Sequence, residues 1–181
     1  MAKIRNYCFA AGMFLIMLLS ACVSGTEETV VEPLSEGDRL PAFQIETGAG
    51  IVTAETLKGI PSVLVFFHTK CPDCQQELPY IQQLYDKYFG MQDAAADASI
   101  NLLLISYKET PEVIAAYWEE HGYTMPCSFF ESPEMVLPFK ITAVPTVYVC
   151  DKNGIIRHIS KDNPIATFTQ LDTWISELLA E

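Results

Sequence analysis

Residues Ser62–Cys74, SVLVFFHTKCPDC, give the clearest indication of the fold. Its first six residues are apolar apart from Ser62, and this lack of alternation is typical of a central β-strand that is covered on both faces. The residues after Cys74, as far as Phe89, carry apolar side chains at helical spacing. The sequence therefore predicts that Cys71 and Cys74 lie at the junction of a buried strand and a helix.

The Cys71-Pro72-Asp73-Cys74 motif brings two sulfur atoms within one helical turn. At the start of a helix, unpaired backbone N–H groups and the helix dipole stabilise a thiolate, which is the species that attacks disulfides. The same spacing occurs as half of a structural zinc site, but such a site needs a second close ligand pair, which Cys127 and Cys150 do not form. The motif therefore indicates dithiol–disulfide exchange, with Cys71 as the nucleophile and Cys74 as the resolving thiol.

The segment from Phe66 to Cys74 resembles the active-site segment of thioredoxin-like thiol–disulfide oxidoreductases. Glu77 completes the Cys-x-x-Cys-x-x-Glu pattern of the membrane-anchored TlpA/ResA-type branch, and Pro79 follows it. Downstream, Ala143-Val144-Pro145-Thr146 resembles the cis-proline segment that faces the disulfide in that fold. The resemblance implies that residues 37–181 form an α/β thioredoxin-like three-layer sandwich, with a mixed central sheet and an N-terminal β-hairpin.

The resemblance also implies roles for three further residues. Glu77 would have a partly buried carboxylate with a raised pKa and would exchange a proton with Cys74; the alternative is an ordinary surface glutamate. Val144 would present its backbone to a substrate as an added strand, and cis-Pro145 would keep metals away from the dithiol. From the residues alone, Pro145 fits the start of a strand equally well. We expect no cofactor, because the two sulfurs carry the electrons.

Residues 1–21 have the pattern of a bacterial lipoprotein signal peptide. A positively charged start precedes the apolar stretch Phe9–Leu19, which is too short to cross a bilayer as a helix. The sequence Leu19-Ser20-Ala21-Cys22 resembles a lipobox, which implies cleavage before Cys22 and lipidation of that cysteine. An ordinary signal peptide that ends near a cysteine is the alternative. Residues 22–36, rich in Ser, Gly, Thr, Glu and Pro, are predicted to be a flexible tether.

Charge and compartment limit the partners of the mature protein. The 181-residue chain has a formal net charge of −12, and loss of Lys3 and Arg5 with the signal peptide makes it more acidic. Such a chain has no electrostatic footprint for nucleic acid or anionic lipid, so the predicted link to the membrane is the lipid on Cys22. We expect an extracytoplasmic monomer, on the periplasmic side in a Gram-negative cell. Its predicted partners are disulfide-containing proteins and a membrane thiol electron donor.

Three other functions are compatible with parts of the sequence. His68 gives His-x-x-Cys-x-x-Cys, so the alternative to a protein-disulfide reductase is a copper or zinc metallochaperone. A peroxidase on a related fold would need Thr-x-x-Cys, whereas this chain has Thr69-Lys70-Cys71. A lipid-tethered binding module with an inert disulfide is the third.

For Cys127 and Cys150 we expect two buried free thiols, although an oxidising compartment also permits a disulfide between them.

The rest of the chain contains the elements of such a domain in order. A short hairpin is predicted near the start, and turn residues separate the later strands and helices. The predicted elements are strands at Phe43–Glu46, Ile51–Thr53, Asn101–Tyr107, Thr146–Cys150 and Ile155–Ser160, a helix from Pro111 to about His121 capped by Thr110 and ended by Gly122, and a last amphipathic helix over Ile165–Leu179.

Overall fold

The computed structural model describes residues 32–90, 99–130 and 137–181. The predicted signal peptide, Cys22 and most of the tether lie outside these residues. No helix in the described ranges is both long and apolar enough to cross a membrane. The elements are β1 (Gln44–Thr47), β2 (Gly50–Thr53), β3 (Ser62–Phe67), α1 (Pro72–Phe89), β4 (Asn101–Tyr107), α2 (Pro111–His121), β5 (Cys127–Phe130), a 3₁₀ turn (Leu137–Phe139), β6 (Thr146–Cys150), β7 (Ile156–Lys161) and α3 (Phe168–Leu179).

The sequence predicted the bounds of β3, β4, α2 and β6 correctly. The strands are apolar runs that are buried along all or most of their length. Helix α2 ends where Gly122 adopts a left-handed conformation with φ of 69°. Helix α3 begins later than predicted, because Thr167 lies at its N-cap and accepts a hydrogen bond from the Gln170 amide; Ile165 therefore precedes the helix.

The predicted cap of α2 is correct in position and wrong in mechanism. Thr110 is the N-cap residue, but its side chain accepts no hydrogen bond from the first turn of the helix. Hydrogen bonds with its own backbone N–H and with the Thr110 side chain lower the pKa of the Glu112 carboxyl in that first turn. A carboxylate near the positive end of the helix dipole is favourable, so Glu112 also stabilises the start of the helix.

The main sheet is mixed and has the strand order β5-β4-β3-β6-β7. Strand β3 pairs in parallel with β4 and antiparallel with β6, and β4 pairs in parallel with β5. Strands β1 and β2 form a separate antiparallel hairpin. The mixed central sheet and the N-terminal hairpin are therefore confirmed. Because β3 and β4 are parallel neighbours, the loops that follow them meet at one edge of the sheet.

Both faces of the sheet are buried, which gives the predicted three layers. On β3, Val63, Val65 and Phe67 belong to a core shared with α1 and α3, whereas Leu64 and Phe66 belong to the core on the opposite face. The hairpin and the 3₁₀ turn cover that second face through Ile45, Val52 and Phe139. Each fully buried side chain of this size stabilises the fold by about 1.5–3 kcal/mol. Strand β3 is thus fixed from both sides, up to the residues that precede the cysteine motif.

The two other cysteines among the described residues, Cys127 and Cys150, are free and far apart. Cys127 on β5 packs against the core shared with α1 and α3, and Cys150 on β6 belongs to the core on the opposite face of the sheet. Two strands lie between β5 and β6, and three inter-strand spacings of about 4.8 Å exceed the roughly 7 Å between Cα atoms that a disulfide can span. The expectation of free thiols is confirmed, and the alternative disulfide is wrong. Cys150 is buried as expected, whereas Cys127 is only half-buried.

Candidate active site

The two motif cysteines lie where β3 passes into α1. Cys71 is the N-cap residue of the helix, and Cys74 lies in its first turn. The Cys71 amide donates a hydrogen bond to the His68 carbonyl at 3.0 Å, which shapes the short loop between strand and helix. Cys71 is half-buried, whereas Cys74 is fully buried. Of the two motif sulfurs, that of Cys71 is therefore the more accessible to solvent.

Burial strongly raises the pKa of the Cys74 thiol, because a thiolate is poorly solvated in the core. A hydrogen bond from the His68 backbone acts in the opposite direction, but the hydrogen bond with Cys71 and the charges of Cys71 and Glu77 raise the pKa further. At neutral pH Cys74 is thus a thiol. Its conversion to an attacking thiolate requires a nearby group that accepts the proton.

Glu77 is buried one helical turn after Cys74. Its side chain is 2 % exposed, and its Oε1 accepts a hydrogen bond from the Ala166 amide at 3.0 Å. Burial raises the pKa of the Glu77 carboxyl from 4.5 to about 7, although the Ala166 hydrogen bond acts to lower it. This is the inward orientation expected from the resemblance, not that of a surface glutamate. Glu77 can therefore take up or release a proton near neutral pH.

The segment before β6 lies against Cys71. The Val144–Pro145 peptide bond is cis, and the Cys71 thiol donates a hydrogen bond to the Val144 carbonyl, with Sγ and O 3.3 Å apart. The Pro145 carbonyl in turn accepts a hydrogen bond from the Asp162 amide at 2.9 Å. The structure thus brings Val144 and Pro145 to Cys71, although they are far from it in the sequence.

The sequence profile of the AhpC/TSA family matches residues 37–159, which is more than half of the chain and includes Cys71, Cys74, Glu77 and Pro145. The chain belongs to the AhpC/TSA family. Its similarity to curated proteins extends further along the sequence. The thiol–disulfide oxidoreductase ResA of Oceanobacillus iheyensis is 25 % identical over 184 residues, which cover 97 % of this chain and 91 % of that protein.

Solved structures give the same fold. A putative protein disulfide isomerase from Bacteroides thetaiotaomicron superposes with a TM-score of 0.68 at 23 % identity, over 82 % of this chain and 92 % of that one. StoA from Bacillus subtilis has a TM-score of 0.61 at 24 % identity, over 76 % of this chain and 98 % of that one. The predictions of a thioredoxin-like fold and of a thiol–disulfide oxidoreductase are therefore confirmed at the level of fold and enzyme class.

His68 faces a carboxylate in this member of the AhpC/TSA family. Its Nδ1 accepts a hydrogen bond from the Lys70 amide at 3.1 Å and lies 3.4 Å from Oε1 of Glu109. Across residues 32–90, 99–130 and 137–181, no group of three or more His, Cys, Asp or Glu side chains is arranged to hold a metal ion. The predicted metallochaperone alternative, which needs His68 together with both cysteines, gains no support from this arrangement.

The sequence reasoning missed Glu109 and Thr69. Glu109 is 5 % exposed and follows β4, and its carboxylate accepts hydrogen bonds from both the amide and the hydroxyl of Thr69. Thr69 precedes the motif by two residues and is itself buried. The one available signal for Glu109 was its position in the sequence, shortly after a buried strand. Loops that follow neighbouring parallel strands meet at the same edge of the sheet, so an acidic residue there lies near the cysteine loop.

Proposed function

We propose that this chain is a membrane-anchored, extracytoplasmic reductase of protein disulfides. The observation that carries the proposal is the pairing of an accessible Cys71 at a helix start with a buried Cys74 directly behind it. Accessibility suits the sulfur that meets the substrate, and burial protects the sulfur that acts only after the substrate is attached.

The reaction needs two exchange steps. The Cys71 thiolate attacks one sulfur of the substrate disulfide, which forms a mixed disulfide and releases the other substrate sulfur as a thiolate. The Cys74 thiolate then attacks Sγ of Cys71, which releases the second substrate sulfur and leaves a Cys71–Cys74 disulfide. The substrate gains two electrons, and a membrane thiol donor returns two electrons to the enzyme.

Glu77 is proposed as the proton acceptor for the second step. Burial keeps Cys74 protonated, and a carboxyl with a pKa near 7 is ionised in a substantial fraction of molecules at neutral pH. An ionised Glu77 can remove the Cys74 proton as the thiol attacks, and it returns that proton when the disulfide is reduced again. In this role Glu77 changes the rate of resolution and does not take part in substrate attachment.

Two features beside Cys71 are proposed to receive the substrate. The Val144 carbonyl lies 3.3 Å from the Cys71 sulfur, so a peptide joined to Cys71 runs next to the Val144 backbone. An open groove of about 580 Å³ also adjoins the motif and is lined in part by Thr69, Lys70 and Tyr117. Backbone pairing and an open groove both favour an extended polypeptide as the substrate.

Attachment to the membrane is proposed through a lipid on Cys22. The support is the sequence pattern of residues 1–22, because the small residues Ser20 and Ala21 precede a cysteine at the end of the apolar stretch. In the described part of the chain, Leu34 packs against the domain core, and Glu36 accepts a hydrogen bond from the Ile159 amide. The stretch left to serve as a tether is therefore the one between Cys22 and Leu34.

The test is to replace each cysteine in turn. We expect Cys71→Ser to abolish reduction of insulin disulfides, because the motif then retains only the buried sulfur of Cys74. Cys74→Ser should accumulate mixed disulfides through Cys71, detected by non-reducing electrophoresis and mass spectrometry. Cys127→Ser is the matched control, since Cys127 is a free, half-buried thiol on β5, and it should keep wild-type activity. Exchange that persists in Cys71→Ser, together with no adducts in Cys74→Ser, would contradict the proposal.

A further inference from the structure

A buried carboxylate lies behind the loop that carries the nucleophile. Glu109 Oε2 accepts hydrogen bonds from the Thr69 amide at 3.0 Å and from the Ser106 hydroxyl at 2.9 Å. Oε1 accepts a hydrogen bond from the Thr69 hydroxyl and lies 3.4 Å from Nδ1 of His68. A buried carboxylate is costly unless such donors compensate it. The cost of burying the carboxylate, together with its hydrogen bonds to one short loop, indicates that Glu109 has a specific role in that loop.

The backbone brings Glu109 to this loop in an unusual way. Strands β3 and β4 are parallel, and their last paired residues are Phe67 and Ser106. Lys108 then adopts a left-handed conformation with φ of 58°, which is uncommon for a residue other than glycine. The chain thus turns directly after β4, and Glu109 reaches the loop that follows β3. Uncommon backbone conformations of this kind concentrate at functional sites.

The same loop is tied to helix α1 and to the nucleophile. Thr69 offers three backbone or side-chain polar groups: its amide and hydroxyl bond to Glu109, and its carbonyl accepts a hydrogen bond from Gln75 Nε2 at 2.8 Å. The carbonyl of the preceding residue, His68, accepts a hydrogen bond from the Cys71 amide at 3.0 Å. Glu109 is therefore connected through Thr69 and His68 to the residue that carries the reacting sulfur.

We propose that Glu109 is a positioning residue for thiol exchange, because it fixes residues 68–70 and thereby holds the Cys71 sulfur in line with Cys74. The inference rests on the proposed use of Cys71 as the nucleophile. Resolution requires the Cys74 sulfur to approach along the axis of the Cys71–substrate bond. This intramolecular step depends strongly on alignment, and a displacement of about 1 Å can slow such a step by about 100-fold. The first attack, by a freely diffusing reagent on Cys71, depends on alignment much less.

The experiment separates these two steps with 5,5′-dithiobis(2-nitrobenzoate) as the probe. Cys71 attacks the probe, forms a mixed disulfide and releases one thionitrobenzoate. Cys74 then attacks Sγ of Cys71 and releases the second, while the protein dithiol becomes the Cys71–Cys74 disulfide and its two electrons reduce the probe. Stopped-flow absorbance of the reduced full chain in detergent gives both rate constants. Every protein carries Cys127→Ser, so that the half-buried thiol does not contribute.

We expect Glu109→Ala to lower the rate constant of the second release by about tenfold or more and to leave that of the first within about twofold. Glu109→Gln keeps an oxygen that can accept the hydrogen bond from the Thr69 amide. Its rate constant for the second release should therefore lie within about threefold of the wild type. Ser106→Ala removes a donor from the same carboxylate but no bond to residues 68–70, so it serves as the matched control for loss of stability and should change neither rate constant. Thr69→Val removes the hydrogen bond from the Thr69 hydroxyl to Glu109 and should also slow the second release. It provides the test if Glu109→Ala does not fold.

Two results would overturn the inference. One is a second release that remains within about twofold of wild type in Thr69→Val and in Glu109→Ala. The other is an equal slowing in Ser106→Ala and Thr69→Val, which would assign the cluster to stability alone. Failure of the proposed function is a separate outcome, because it would appear as a wild-type protein that reacts with the probe but does not reduce insulin.

Discussion

Replacing Glu77 by glutamine should remove a pH dependence of stability that the buried carboxyl creates. Burial raises the pKa of Glu77 from 4.5 to about 7, so between these values the folded state binds a proton that the unfolded state has released. The favourable contribution is complete below pH 4.5 and is lost as the pH rises through 7. At about 1.4 kcal/mol per pKa unit, the loss amounts to about 3 kcal/mol. Glutamine does not titrate, and its Oε1 can still accept the Ala166 amide.

The assay is urea unfolding of the reduced protein, wild type and Glu77→Gln, at pH values from 4.5 to 8. The difference in unfolding free energy between the two proteins isolates the one group, because the other titrating residues are shared. We expect wild type to lose about 3 kcal/mol relative to Glu77→Gln between pH 4.5 and pH 7.5. Glu119→Gln, on the exposed side of α2, is the matched control for the loss of one glutamate carboxyl away from the site. A difference between wild type and Glu77→Gln that stays constant with pH would refute the reasoning.

Two further predictions concern the reduction potential of the Cys71–Cys74 couple and the attachment of the protein to the membrane. Asp73→His replaces a negative charge beside Cys71 by a group that favours a thiolate and hence the reduced form, so the reduction potential should rise by at least about 30 mV, which corresponds to about 1.4 kcal/mol. Equilibration with glutathione buffers measures this potential, and an unchanged or lower value would count against the electrostatic argument. Cys22→Ala should move the protein from the membrane to the soluble fraction. Retention of Cys22→Ala on membranes washed with high salt would exclude the lipid anchor.

Local sequence patterns predicted most of the fold, because its main elements are marked by their own residues. Strand β3 is an unbroken apolar run that ends before the motif, and α2 lies between Pro111 and Gly122. These signals arise within one element and need no knowledge of the partner. The cysteine motif was equally local, and the resemblance added Glu77 and the Val144–Pro145 segment, which the structure brings to the site.

The features that were missed depend on contacts between distant parts of the chain. Glu109 is 40 residues from Thr69, and its burial follows from the pairing of β3 with β4 and from the turn at Lys108. No periodicity in the sequence distinguishes it from an ordinary solvent-exposed glutamate. The separation of Cys127 from Cys150 likewise follows from the strand order of the sheet, which spacing along the chain does not reveal.

The most direct test of the proposed reductase is the reduction potential of the Cys71–Cys74 couple. Pro72 has no N–H to offer the Cys71 sulfur, and Asp73 places a negative charge beside it, so the thiolate of the reduced form gains little stabilisation from the motif. We expect a potential near the roughly −270 mV of thioredoxin and far from the roughly −120 mV of strong periplasmic oxidants. A wild-type value above about −180 mV, the potential of protein disulfide isomerase, would contradict the reductase assignment and favour an oxidase or an isomerase.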